Sequence, residues 1–118
     1  MPDLATRPPG LEHLSAPERA LLERLKAELR RRYGERLRAM ILFGSRARGD
    51  ARPDSDWDVA VVLDGVGEFW PEQRALSRLA FDLLLETGAA ISLKLFRPED
   101  LARQTLLVES IRLEGVPL

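Results

Sequence analysis

Hydrophobic residues near the start of the chain recur at the spacing of an amphipathic helix. The residues at this spacing are Leu21, Leu22, Leu25 and Leu29. Such spacing places them on one helical face. Ser15 precedes them and Glu18 follows it three residues later, which is the pattern of a capping box. Because glycine often stands just beyond a helix end, Gly34 completes the prediction of a helix from Ser15 to about Tyr33.

Three shorter segments predict β-strands. Leu37 to Phe43 becomes increasingly apolar along its length, and Trp57 to Leu63 is apolar and rich in β-branched residues. Ala90 to Phe96 instead alternates, with Ser92 and Lys94 on its polar face. Alternation of this kind is typical of a half-buried strand.

Two further helices are predicted beyond the second strand. One begins at Pro71 and ends at Gly88, with its leucines at helical spacing. The last begins at Pro98 and stops near Gly115. This order of helices and strands indicates an α+β protein with a small mixed β-sheet and helices packed on it.

Length and composition indicate a single globular domain. The chain has 118 residues, of which 45% are hydrophobic and 31% are charged. We expect residues 1–14 to form an N-terminal arm and residues 15–118 to form the domain. No apolar run approaches the ~20 residues needed to span a bilayer, and no apolar secretion-signal segment is visible. We therefore expect a cytoplasmic protein that does not contact the membrane.

The residue types restrict the chemistry available to this chain. It has no cysteine and only one histidine, His13, which excludes thiolate and histidine-rich metal sites. A metal would need oxygen ligands, which favours Mg²⁺ or Mn²⁺. The formal net charge of −1 argues against the broad basic surface of a nucleic-acid-binding protein.

One segment combines residues that suit a metal–phosphate site. Gly44 and Ser45 are followed, after ten intervening residues, by Asp56, Trp57 and Asp58. Because side chains alternate along a strand, Asp56 and Asp58 point the same way, and Trp57 points to the opposite face. The two carboxylates repel each other unless a cation lies between them. Mg²⁺ typically takes one or two carboxylates together with substrate phosphates. The spacing therefore predicts a metal site at the start of the second strand.

The Gly-Ser turn supplies groups that could hold phosphate. Gly44 permits a close backbone approach, and Ser45 offers a hydroxyl and an N–H group. If a helical turn begins at Ser45, its N–H groups form an anion site. Arg46 and Arg48 either contact a triphosphate or are ordinary exposed loop residues. Ser55 is expected to shape the turn before the carboxylates and to belong to the nucleotide-binding residues.

The motif resembles that of a known enzyme family. Gly-Ser-Arg-Ala-Arg-Gly at 44–49 and Ser-Asp-Trp-Asp at 55–58 are similar to the nucleotidyltransferases of the DNA polymerase beta superfamily, and look most like its minimal nucleotidyltransferase branch. The resemblance implies a polymerase-beta-like nucleotidyltransferase fold and transfer of a nucleotidyl group, AMP from ATP, to a hydroxyl. It implies that the two aspartates are catalytic and hold Mg²⁺ or Mn²⁺, and that Gly44 and Ser45 bind the phosphates.

The sequence departs from the family pattern at one position. Active members usually carry a third carboxylate on the next strand, and the position that aligns here is Ser92. Asp82, Glu99 or Asp100 would have to substitute for it. Two hypotheses follow: a working nucleotidyltransferase, or a nucleotide- or partner-binding module with weak or no catalysis.

The resemblance also implies a protein partner. Many minimal nucleotidyltransferases pair with a HEPN-domain protein as an antitoxin and its toxin. The last helix carries leucines that do not all fit one face, namely Leu106, Leu107 and Leu113. They are either buried by other elements or form a contact surface for a partner or a homodimer.

Overall fold

The computed structural model describes residues 10–118. The helices in this range are α1 (Ala16–Tyr33), α2 (Ser45–Arg48), α3 (Phe69–Thr87) and α4 (Leu106–Glu114). The strands are β1 (Leu37–Phe43), β2 (Trp57–Leu63), β3 (Ile91–Phe96) and β4 (Val116–Pro117). Two short 3₁₀ turns cover Gly34–Arg36 and Pro98–Ala102.

The strands form one mixed sheet in the order β3-β2-β1-β4. β1 runs antiparallel to β2 and β4, whereas β2 and β3 are parallel. The register places Phe43 of β1 opposite Asp58, and Asp58 opposite Ser92 of β3. The predicted α+β class with a small mixed sheet is confirmed, and Asp58 lies on a central strand of that sheet.

Helices cover both faces of the sheet. On one face α1 and α3 enclose the larger core, in which Leu25, Leu29 and Leu76 are fully buried. On the other face α4 covers a smaller cluster, which consists of Phe43, Ala60, Val62, Phe96, Val108 and Ile111. Since Asp58 lies on the face of Ala60 and Val62, its carboxylate projects beside this smaller cluster.

The ends of α1 confirm the predicted capping pattern. The Ser15 hydroxyl accepts a hydrogen bond from the Glu18 backbone N–H at 3.2 Å, and the Ser15 N–H donates to the Glu18 carboxylate at 2.9 Å. Gly34 follows the helix with φ of +53°. These contacts satisfy backbone groups that a helix end would otherwise leave unpaired.

The outer edge of β3 is covered by a side chain. The Gln73 amide on α3 donates to the Leu93 carbonyl and accepts from the Leu95 N–H, both at 2.8 Å. These are backbone groups that a further strand would otherwise pair with. The contact holds α3 against β3 and helps fix the strand that carries Ser92 and Lys94.

The C-terminal part differs from its prediction. The expected continuous helix from Pro98 is a 3₁₀ turn followed by a separate helix after Thr105. The reason is local capping, because the Thr105 hydroxyl accepts from the Val108 N–H at 3.1 Å and starts a new helix. The short strand β4, which pairs with β1, was not predicted. α3 also begins at Phe69, two residues before the predicted start at Pro71.

The predicted N-terminal arm lies partly outside the described residues. Residues 1–9 are not described, so the arm over residues 1–14 remains a prediction. Leu11 and Leu14 pack against the larger core, and Leu14 is buried. Among the helices of residues 10–118, none is both long enough and apolar enough to cross a membrane.

Candidate functional site

The Gly-Ser turn joins the end of β1 to α2. Gly44 adopts a φ of +77°, a conformation that favours glycine. Its carbonyl accepts hydrogen bonds from the N–H groups of Ala47 and Arg48, both at 3.0 Å. Ala47 is fully buried and anchors the turn in the core. The helical turn predicted after Gly44 is therefore present, and it begins at Ser45.

Gly44 lies directly against Asp58. A β-carbon added to Gly44 would stand 2.7 Å from Oδ2 of Asp58, which is closer than real contacts allow. A residue with a β-carbon at position 44 would displace the Asp58 carboxylate, and the positive φ of Gly44 disfavours such a residue as well. The structure thus brings together the two halves of the motif, which ten residues separate in sequence.

The two aspartates differ in their exposure. Asp56 is exposed and immediately precedes β2, whereas Asp58 is half-buried within the strand. Trp57 between them points to the opposite face and is 3% exposed. The predicted separation of the carboxylates from the tryptophan is therefore observed.

The surroundings of Asp58 disfavour the ionised form of its carboxyl group. Burial raises the pKa of the Asp58 carboxyl above its ordinary value, and the nearby charge of Asp56 raises it further. Lys94 and Arg48 act in the opposite direction. A carboxyl of this kind gains from a cation that approaches it, because the cation offsets both burial and repulsion.

The donor set fits a hard divalent cation that is shared with a substrate. Asp56 and Asp58 offer oxygen atoms, and the absence of a side chain at Gly44 leaves space beside Oδ2 of Asp58. Within residues 10–118, no group of three His, Cys, Asp or Glu side chains could hold a metal ion. An ion held by the two aspartates would therefore draw its remaining ligands from water or phosphate oxygens, as Mg²⁺ does.

Arg46 is not brought to the carboxylates. Its guanidinium stacks on the Trp57 ring at 4.5 Å, on the opposite face of the sheet. It also pairs with Glu18 at 3.1 Å and donates to the carbonyls of Pro53 and Ser55. These contacts engage its donors and tie α1 to the loop before β2. Phosphate contact by Arg46, predicted as one of two alternatives, has no support in this geometry.

Arg48 remains near the site. Its guanidinium contacts Asp50 at 3.1 Å and Glu114 at 2.9 Å, which links α2 to the end of α4. It is exposed, and its charge reaches Asp58. Of the two arginines, Arg48 is therefore the one placed to meet a triphosphate.

The two serines of the motif have different surroundings. Ser45 is partly exposed at the first position of α2, beside Gly44. The Ser55 hydroxyl accepts from the Arg52 N–H at 2.9 Å, and the Ser55 carbonyl accepts from Arg46. Ser55 thus shapes the turn before Asp56, in agreement with one of its predicted roles, while its role in nucleotide binding stays a prediction.

Ser92 occupies the position opposite Asp58. The two residues are partners in the parallel β2–β3 ladder, so their side chains point to the same face. Lys94, two residues further along β3, shares that face and is partly exposed. The aligned third-carboxylate position is therefore close to Asp58 but carries a hydroxyl and is followed by a positive charge.

Two contacts that support the motif from outside it were not predicted from the sequence. Glu18 was expected to act as a capping residue only, yet it also binds Arg46. Glu114 on α4 had no sequence signal, because its contact with Arg48 depends on how α4 packs. Pairs so distant in sequence are visible only in the folded chain.

Solved structures of similar fold belong to toxin–antitoxin systems. A toxin–antitoxin crystallised with AMP-PNP shares 23% identity over 80% of this chain and 70% of that chain, with a TM-score of 0.59. The toxin–antitoxin MntA–HepT shares 21% identity over 83% of this chain and 69% of that chain, with a TM-score of 0.53. At these identities the similarity shows a common fold.

No individual curated protein matches the chain in sequence, whereas a family model does. Residues 22–116 match the family model of the nucleotidyltransferase domain, a range that contains the Gly-Ser turn, both aspartates and Ser92. Because this match covers most of the chain and the fold agrees with it, the protein belongs to the nucleotidyltransferase domain family.

Proposed function

We propose that this protein transfers a nucleotidyl group, AMP from ATP, to a hydroxyl group of a partner protein. The observation that carries the proposal is the contact between Gly44 and the carboxylate of Asp58. It joins a Gly-Ser turn of a kind that can bind phosphate to a carboxylate that could hold a divalent cation, and this combination supports metal-assisted nucleotidyl transfer. The AMP-PNP in a structurally similar toxin–antitoxin supports an adenine nucleotide as the substrate.

Each residue of the site has a distinct proposed role. Asp56 and Asp58 hold Mg²⁺ or Mn²⁺, which when bound neutralises charge on the phosphate oxygens. Gly44 and Ser45 hold the β- and γ-phosphates through the turn at the start of α2. Arg48 adds positive charge at the phosphate end. Arg46 and Ser55 position the loop that carries Asp56.

The proposed partner is a HEPN-domain toxin, with this protein as the antitoxin-like half of the pair. Structures of similar fold come from toxin–antitoxin systems, which supports such a partner. Exposed leucines of α4 offer a contact surface, namely Leu106, Leu107 and Leu113. A groove of about 900 Å³ along β3 runs from Ser92 and Lys94 to exposed apolar residues of α3, including Phe81. Ser92, the β3 partner of Asp58, lines this groove, so an acceptor segment of the partner that lies in the groove would approach the carboxylates.

Label transfer tests the proposed reaction. The protein is incubated with ATP labelled at the α-phosphate, Mg²⁺ or Mn²⁺, and a candidate HEPN-domain partner protein. We expect label on the partner, and its loss in Asp58→Asn. Absence of transfer by a wild-type protein that binds ATP would contradict the enzymatic function.

The alternative is a nucleotide- or partner-binding module without efficient catalysis. It rests on Ser92, whose hydroxyl stands opposite Asp58 where a carboxylate would assist the attacking hydroxyl. A serine is not an effective base near neutral pH. Metal-dependent ATP binding without transfer would favour this alternative, and transfer that Asp58→Asn abolishes would exclude it.

A further inference from the structure

Lys94 lies beside the proposed metal site. It follows Ser92 by two residues on β3, so both side chains lie on the face of Asp58. From the rise along β3 and the spacing between strands, the backbones of Lys94 and Asp58 are roughly 8 Å apart, a distance that a long side chain can span. The charge of Lys94 acts on the Asp58 carboxyl. An ammonium group is therefore available two residues beyond Ser92, the position where the family pattern places a third carboxylate.

The surroundings of Lys94 leave its charge available. The other lysine of the chain, Lys26, pairs with Glu23 at 3.2 Å on α1. Within residues 10–118, Lys94 has no salt bridge and no side-chain hydrogen bond, although its charge acts on the Asp58 carboxyl. Lys94 also lines the groove along β3, so a ligand that enters this groove meets its side chain.

Two of the three acidic residues that could have replaced the third carboxylate are paired with other groups, and the third is exposed. Asp82 pairs with Arg78 on the exposed surface of α3. The Asp100 carboxylate accepts from the Arg97 N–H at 2.8 Å and lies near Arg103. Glu99 is exposed on the 3₁₀ turn. Among the described residues, the charges that act on the Asp58 carboxyl are those of Lys94, Asp56 and Arg48, and the three alternative carboxylates are not among them.

We propose that Lys94 takes the place of one cation, so that the site binds a single divalent ion per nucleotide and the Lys94 ammonium contacts the phosphates. This inference rests on the proposed function and specifies how its site is built. Two carboxylates balance the charge of one divalent ion, and an adjacent ammonium repels a second ion while attracting phosphate oxygens. Ser92 leaves room for the lysine and adds no negative charge.

An acylating ATP derivative tests the phosphate contact directly. The probe is ATP with an acyl group on its terminal phosphate, and an amine within reach attacks the acyl carbon, forms an amide and releases ATP. We expect mass spectrometry to find the acyl group on Lys94 and not on Lys26 of the full chain, with Mg²⁺ present and with competition by ATP. Lys94→Met should weaken ATP binding about tenfold, whereas Lys26→Met should leave it unchanged.

The outcomes separate this inference from the proposed function. ATP binding with no acylation of Lys94 and no loss of affinity in Lys94→Met would overturn the role of Lys94 and leave the nucleotide site intact. Failure of the wild-type protein to bind ATP would overturn both.

The metal stoichiometry gives a second, independent readout. Free Mn²⁺ is followed by electron paramagnetic resonance during titration of the protein with a non-hydrolysable ATP analogue. We expect one bound Mn²⁺ per analogue in the wild type, and two in the double variant Ser92→Asp, Lys94→Ala. Two ions in the wild-type protein would contradict the single-ion site.

Discussion

Oδ2 of Asp58 lies only 2.7 Å from the point that a β-carbon on Gly44 would occupy. Gly44→Ala should therefore displace the carboxylate or the turn, and its positive φ adds a strain of about 2 kcal/mol. We expect metal-dependent ATP binding to fall at least about tenfold, a loss of about 1.4 kcal/mol. Calorimetric titration of the folded variant measures this loss.

Gly88→Ala is a control for substitution at a glycine with positive φ. Gly88 has a φ of +78°, close to the +77° of Gly44, but its ψ of −1° is left-handed helical and costs other residues less than the ψ of −160° at Gly44, and a β-carbon there would meet nothing within 4 Å. The control should lose about 1 kcal/mol of unfolding free energy and keep its ATP affinity. Equal affinities in the two variants would show that the contact with Asp58 does not shape the site.

Arg46→Lys should lower stability although it keeps the charge. A lysine cannot reproduce the stacking on Trp57 together with the contacts to Glu18 and Ser55. We expect a loss of about 1–2 kcal/mol in the free energy of unfolding. Denaturant unfolding measures it, and Arg48→Lys serves as the comparison because Arg48 is exposed. A larger loss in Arg48→Lys would contradict the structural role assigned to Arg46.

Glu18→Gln should remove a contribution to the free energy of unfolding that comes from the Glu18 charge and depends on pH. Hydrogen bonding to the Ser15 backbone lowers the pKa of Glu18 below its ordinary value of 4.5, and Arg46 contributes to the same shift. A lowered pKa means stability that is present above pH 4.5 and is lost as pH falls through the folded-state pKa. The variant should be less stable by about 1 kcal/mol at pH 7 and equal to wild type at low pH. A difference that does not change with pH would contradict the role of the charge.

Asp58→Asn should stabilise the protein when no metal is bound. Burial raises the pKa of Asp58, so the folded state binds its proton more tightly than the unfolded state. The stability of the wild type therefore falls as pH rises from the ordinary value of 3.8 through the raised value. Asparagine removes this cost, and the melting temperature at pH 7 with a chelator should rise. A lower melting temperature would show that the charge of Asp58 is satisfied without a cation.

Much of the fold was predictable because local signals and tertiary packing agree. β1 and β2 have the predicted bounds, and the Ser15 capping box and Gly34 mark the ends of α1. The motif itself was visible because Gly44 and Asp58 are residue types that the geometry demands. Alternation along β2 was sufficient to separate the carboxylates from Trp57.

The remaining features depend on contacts between distant parts of the chain. The charge of Arg46 made it a candidate for phosphate contact. In the folded chain its guanidinium instead pairs with Glu18 and stacks on Trp57, away from the carboxylates. The break before α4 depends on whether Thr105 caps a new helix, which a run of helix-forming residues conceals. β4 has only two residues and forms because β1 offers an open edge.

Calorimetric titration of ATP with Mg²⁺ tests the central claim most directly. It compares the wild-type protein with the double variant Asp56→Asn, Asp58→Asn, and thermal unfolding confirms that both are folded. The account predicts metal-dependent binding to the wild type, a rise in its melting temperature with ligand, and loss of both in the variant. Binding that survives the loss of both carboxylates, or no binding by the folded wild type, would contradict the site built from Gly44, Ser45, Asp56 and Asp58.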